Sequence, residues 1–272
     1  YNNWLGEVTV LKIAVQENLV PAEGFGEKLR VAEELGFEGV EIWGRNLEER
    51  LDVLKDAVST SKIPISTICA GYKGDLLGVS KDERMAAVKD IKFKLTAAAE
   101  LGAVGLVVVP TFGKPKLPDL YPLYKSVVEL ERRLLVEELK EIGRHADDVG
   151  AYVLLEPLNR YETHFLNRLE QAVEICEELG FEYVKIMADF FHMNIEEADI
   201  AESIRRAGPY IKHVHLADSN RVLPGFGHTD FKPGFQALKE SGFRNFMALE
   251  CRVPEPKAEN LRKSLKYLRS LI

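Results

Sequence analysis

Glu156, Asp189, His215 and Glu250 are side-chain types that hold divalent cations, and they stand 33, 26 and 35 residues apart. Each lies at or beside the end of a run rich in apolar residues: "VLLE", "VKIMAD", "IKHVHLA" and "FMALE". Three carboxylates brought together in a partly dry pocket would repel one another strongly. A cation between them removes that repulsion, and three carboxylates with one imidazole suit Mn²⁺ first, then Mg²⁺, Co²⁺ or Zn²⁺. A single Glu at such a place is more commonly a helix cap or an ion-pair partner. Four metal-capable groups on consecutive segments are much harder to explain in that way. His213 shares a strand face with His215 two residues deeper, so it is read as lying inside the barrel or supporting the ligands.

Such a site needs a scaffold that brings distant segments to one point. A join recurs in "LGFEGVEIW", "LGAVGLVVV", "VGAYVLLE", "LGFEYVKIMAD" and "SGFRNFMALE": a Gly after a helical pattern, then an apolar run. Glycine suits the left-handed residue that follows many helices. Further strands are expected at 8–15, 63–69 and 211–217, which completes a set of eight. Helical stripes run between them, such as Leu135, Leu139, Ile142, Ala146 and Val149, and Met85, Val88, Ile91, Leu95, Ala98 and Leu101. Strands alternating with helices imply a parallel sheet. Eight such units in 272 residues predict one (β/α)8 barrel domain over 1–272. A doubly wound sheet fits less well, because "VQENLVPAEG" follows the first strand where a glycine-rich phosphate loop would stand. In a (β/α)8 barrel the chemistry sits at the C-terminal ends of the strands, where the four residues fall.

Composition narrows the partners. A net charge of −7 argues against nucleic acid or an anionic membrane as the main partner. Cys69, Cys176 and Cys251 show neither a disulfide framework nor metal-ligand spacing. No window resembles a membrane span and the first residues show no secretory apolar core, so a cytoplasmic location is expected.

The segments "EPLNRYETHFLN", "ADFFHMNIEE" and "HVHLADSNRVLPGFGHTDF" closely resemble the ketose 3-epimerase (D-tagatose 3-epimerase) branch of the xylose-isomerase-like TIM barrel superfamily. The resemblance covers residues 150–251. It implies one divalent metal, usually Mn²⁺, held by Glu156, Asp189, His215 and Glu250, with no organic cofactor. It makes Glu162, His192 and Arg221 substrate contacts, and Glu156 and Glu250 the catalytic pair. Phe190 stands where Thr is common in that branch, which is expected to change packing rather than chemistry. The implied reaction inverts the carbon beside the carbonyl, C3 of a ketose or keto-sugar acid, through a metal-stabilised enediolate. One glutamate takes the proton and the other delivers one to the opposite face.

For the far end of the sugar, the loops after the early strands offer Trp43 as a pocket wall, with Arg45, Tyr72, Phe112 and Lys114 as further candidates. His164 and His228 have no assigned role. An aldose–ketose isomerase of the hydroxypyruvate isomerase type and an inosose dehydratase are the alternatives on the same metal site. An apurinic-site endonuclease would want more histidine ligands and a basic groove. The resemblance also implies a homodimer or homotetramer.

Overall fold

Successive side chains of a strand point to opposite faces, so a closed sheet sends every second residue inward and the others towards its helices. The structure, a computed structural model, describes residues 10–272. Val8 and Thr9, the start of the expected first strand, lie outside the described residues. The strands are β1 (Lys12–Gln16), β2 (Gly39–Trp43), β3 (Ile65–Cys69), β4 (Gly105–Val108), β5 (Tyr152–Leu155), β6 (Val184–Asp189), β7 (Ile211–Leu216) and β8 (Phe246–Leu249). They pair in parallel in that order, and β8 returns to β1 to close the barrel. This is the expected (β/α)8 architecture.

Helices α1 (Phe25–Leu35), α2 (Leu47–Ser59), α3 (Lys81–Glu100), α4 (Val127–Val149) and α5 (Leu169–Leu179) follow the first five strands in turn. The short α6 (Phe190–Glu196) begins directly after β6, α7 (Ile200–Ala207) follows it, and α8 (Lys232–Glu240) and α9 (Lys257–Leu271) complete the ring. The glycine joins behave as expected: Gly36 and Gly150 close α1 and α4 with φ of 99° and 72°. Of the α3 stripe, Ile91, Leu95 and Ala98 are buried, whereas Met85 is exposed, bordering a groove shared with Glu137, Glu138 and Glu141 of α4. Among the described residues no helix is long and apolar enough to cross a membrane.

The main core lies between the barrel and the helices, built from outward strand residues such as Ile13, Ile42, Val153, Ile186 and Leu249. Inside the barrel the deeper positions are apolar, including Ala14 with Ala248 and Val107 with Leu154 and Met187. The same inward alternation places Gln16, Glu41, Thr67, His213, His215 and Asp189 within the barrel, all buried. Asp189 pairs in register with His215, and His215 with Ala248. Glu156 and Glu250 follow β5 and β8 by one residue, each tied by its backbone N–H to the neighbouring strand. The four residues therefore reach the C-terminal mouth from adjacent strands.

Candidate active site

His215 stands at the centre of the four. Its Nδ1 lies 3.6 Å from Glu156 Oε1, 3.5 Å from Glu250 Oε2 and 3.9 Å from Asp189 Oδ2. The four ligand atoms all fall within 4.8 Å of one another. Asp189 divides its oxygens between two tasks. Oδ1 caps α6 by accepting the backbone N–H groups of Phe191 at 2.7 Å and His192 at 3.3 Å. Oδ2 is buried and has no hydrogen-bond partner, and neither has His215 Nδ1. Buried polar atoms are seldom left unpaired, so two such atoms facing each other between two further carboxylates fit a bound cation.

The electrostatics separate the two glutamates. Burial, only partly offset by His215, holds the Glu156 carboxyl above the usual carboxylate range. Burial acts on Glu250 too, but His215 and the Arg221 guanidinium outweigh it and hold that carboxyl below the range. Arg221 Nη2 donates to Glu250 Oε2 at 2.9 Å, and Nη1 to Glu162 Oε1 at 3.1 Å. The guanidinium also stacks over the Phe191 ring, 4.8 Å from its centroid. Arg221 reaches this place from a backbone φ of 56°, a conformation that costs a non-glycine residue energy and concentrates at functional sites. The buried Asp218 carboxylate holds the loop that presents Arg221, accepting backbone N–H groups from Ser219, Gly225 and Thr229.

His192 is buried beside the four, with Nε2 3.5 Å from Asp189 Oδ2 and 3.4 Å from Arg221 Nη1. Its Nδ1 receives the Asn159 backbone N–H at 3.2 Å and the Asn159 side-chain amide at 2.8 Å. A backbone N–H only donates, so Nδ1 is the acceptor and the proton of the neutral ring sits on Nε2, facing the site. Asn159 also donates to Glu162 Oε1 at 3.1 Å, which links Glu162, His192 and Arg221 in one network. All seven residues expected from the late strands and their loops thus lie together. Phe190 is buried against Phe231 and Phe235, with ring centroids 5.5 and 5.9 Å away, behind the site rather than in it.

Trp43 stands on the opposite half of the barrel mouth. It borders a cavity of about 280 Å³ with Arg45, Tyr72, Thr111 and Phe112. On its other side lies a cavity of about 530 Å³ shared with Asn18, Lys28, Arg45 and Arg50. Lys114 is exposed and borders neither. His164 is placed elsewhere: its Nε2 meets the buried Glu131 at 2.6 Å and its Nδ1 meets the Gly113 carbonyl at 2.9 Å, fastening the loop after β4 to the loop after β5. His228 donates its backbone N–H to Ser219 Oγ.

Sequence reasoning passed over a second group. Glu41, in the middle of β2, accepts hydrogen bonds from Gln16, Thr67, His213 and His215. A charged residue inside "GVEIW", in the inward phase of its strand, was the available signal. Asn159 and Asp218, both loop residues, carried no periodicity that could expose them.

Fold and site together define a barrel enzyme with a metal-capable centre at the mouth. The profile of the xylose isomerase-like TIM barrel family matches residues 29–271, and the chain belongs to that family. The chain is 33% identical over 263 residues to 3-dehydro-D-guloside 4-epimerase of Escherichia coli (strain K12), spanning 96% of this chain and 100% of the relative. It is 29% identical to D-psicose 3-epimerase of Agrobacterium fabrum, over 83% of this chain and 78% of that one. The crystal structure of the apo form of 3-keto-D-glucoside 4-epimerase from E. coli superposes with a TM-score of 0.87 at 32% identity, covering 96% of this chain and 100% of that chain. These relatives are named as sugar epimerases, and the chain is an enzyme of their family.

Proposed function

We propose that the protein is a divalent-metal-dependent epimerase that inverts the carbon next to the carbonyl of a keto sugar. The observation that carries this reading is the pair Glu156 and Glu250, which follow β5 and β8 and stand each about 3.5 Å from the unpartnered His215 Nδ1. Inversion requires a base on one face of the carbon and an acid on the other. Two carboxylates carried at the ends of different strands supply such a pair.

Glu156, Asp189, His215 and Glu250 would hold the cation. When bound there, it would act as a Lewis acid towards the carbonyl oxygen and offset the negative charge that develops as the proton leaves. Glu156 and Glu250, the latter hydrogen-bonded by Arg221, are placed so that one takes the proton from carbon while the other delivers one to the other face, and the roles exchange in the reverse direction. Arg221 and the His192 Nε2–H present donors to the substrate oxygens. Glu162 and Asn159 hold those two donors in place. The chain's own contribution is thus a fixed pair of proton carriers and a fixed set of donors, which is how positioned groups lower a barrier.

The substrate has two readings. Resemblance to the ketose 3-epimerases favours C3 of a ketose or keto-sugar acid. The relative matched over its whole length is named a 3-dehydro-D-guloside 4-epimerase, which favours C4 of a 3-keto-glycoside. The open space beside Trp43 and Arg45 would admit a glycoside's second group.

Chelator-treated protein, refilled with Mn²⁺ and then with Co²⁺, Mg²⁺ or Zn²⁺, tests the proposal against ketoses, keto-sugar acids and 3-keto-glycosides. The expected products are C3 epimers of ketoses or C4 epimers of 3-keto-glycosides, lost on chelation and restored by metal. An aldose or a dehydrated product would replace the epimerase with an isomerase or a dehydratase. Turnover unaffected by chelation would remove the metal from the mechanism.

A further inference from the structure

Two groups of metal-capable residues share His215. One is Glu156, Asp189, His215 and Glu250, and the other is Glu41, His213 and His215, fully buried one layer deeper in the barrel. The contacts of the deeper group are those of a hydrogen-bonded cage. Glu41 Oε1 accepts from Gln16 Nε2 at 2.9 Å and from His215 Nε2 at 3.0 Å. Glu41 Oε2 accepts from the Thr67 hydroxyl at 2.7 Å and from His213 Nε2 at 2.7 Å. Both oxygens already face donors drawn from β1, β3 and β7, so the carboxylate has no clear direction left for a cation. The deeper group's own unpartnered atom is His213 Nδ1, the ring nitrogen that does not meet Glu41, whereas in the upper group Asp189 Oδ2 and His215 Nδ1 both lack a partner and lie 3.9 Å from each other.

We infer that Glu41 is the positioning residue of the metal centre rather than a ligand of a second one. This rests on the metal reading proposed above. By accepting from His215 Nε2, Glu41 fixes the proton on that nitrogen and turns Nδ1, with its lone pair, towards Glu156, Asp189 and Glu250. A carboxylate behind a ligating imidazole also raises its basicity. Gln16 extends the support, since its side-chain amide donates both to Glu41 and, at 3.2 Å, to Glu250 Oε1. One buried carboxylate on β2 therefore orients His215 directly and Glu250 through a shared amide.

The test is calorimetric titration of Mn²⁺ into metal-stripped wild type and Glu41→Gln, with melting temperatures of both stripped proteins. The inference expects one equivalent in each, bound about 10–100-fold more weakly by the variant. Equal affinities would overturn it. Two equivalents in wild type, one of them lost in Glu41→Gln, would make the deeper cluster a metal site and overturn it as well. Wild type that binds no divalent metal would sink the metal reading itself, a distinct failure. Nitrogen-15 spectra of the His215 ring in Zn²⁺-loaded wild type decide the matter even if the variant does not fold. The proton is expected on Nε2, and a proton on Nδ1 would refute the inference. A role confined to stability would shift the melting temperature while leaving metal affinity intact.

Discussion

Glu250 and Arg221 touch through a single 2.9 Å hydrogen bond, yet substitution should separate their roles. On the proposed mechanism, Glu250→Gln removes both a proton carrier and a charged metal donor. Turnover should fall by at least about 10²–10⁴-fold, and Mn²⁺ affinity should fall with it. Arg221→Ala should lower kcat/KM while calorimetry finds the metal bound nearly as before. Asn159→Ala keeps the backbone N–H on His192 Nδ1 but removes the side-chain amide from His192 and Glu162, and loss of about 1 kcal/mol there would reduce kcat/KM roughly fivefold, with metal affinity retained. At this scale the sequence was most informative where a carboxylate ends an apolar run, as at Glu156, Asp189 and Glu250. It was least informative for Glu41, which sits inside a strand, and for Asn159 and Asp218, whose partners lie in contacts that only the folded chain creates.

Two strands and two helices supply predictions about the scaffold. Gly105 on β4 pairs with Tyr152 on β5, and a Cβ at Gly105 would lie 2.1 Å from the Tyr152 carbonyl oxygen. Backbone cannot yield there without disturbing the sheet, so Gly105→Ala should cost about 3 kcal/mol, read as a lower melting temperature. Between α3 and α4, burial pushes the Glu138 carboxyl up to about 8, against the pull of Arg84 3.6 Å away. The folded chain then binds this proton more tightly than the unfolded chain, where the value is 4.5. The contribution to stability is full below the unfolded value and is lost as pH rises through about 8. Glu138→Gln should flatten that decline in melting temperature against pH. The joins at Gly36 and Gly150 were legible because a left-handed helix terminus has a residue signature. The short α6 was not, since seven residues from Phe190 hide a helical period and its cap is Asp189, a residue read for its chemistry.

For the molecule as a whole, closure followed from counting strand segments, because parallel strands need helical crossovers and eight units of this length close naturally. What counting cannot supply is how the two halves of the mouth share labour. Glu156, Asp189, His215 and Glu250 come from β5 to β8, while Trp43, Tyr72 and Phe112 line space above β2 to β4. Only the barrel sets them face to face, so substrate choice is a property of the assembled rim. The central claim is that proton exchange at the carbon beside a carbonyl occurs between Glu156 and Glu250. Proton NMR in D₂O, with metal-loaded protein and a panel of ketoses, keto-sugar acids and 3-keto-glycosides, tests it most directly. The account predicts deuterium at the carbon next to the carbonyl together with the epimer inverted there. Epimer formed without deuterium in protein that holds its metal, or no exchange with any keto sugar, would contradict it.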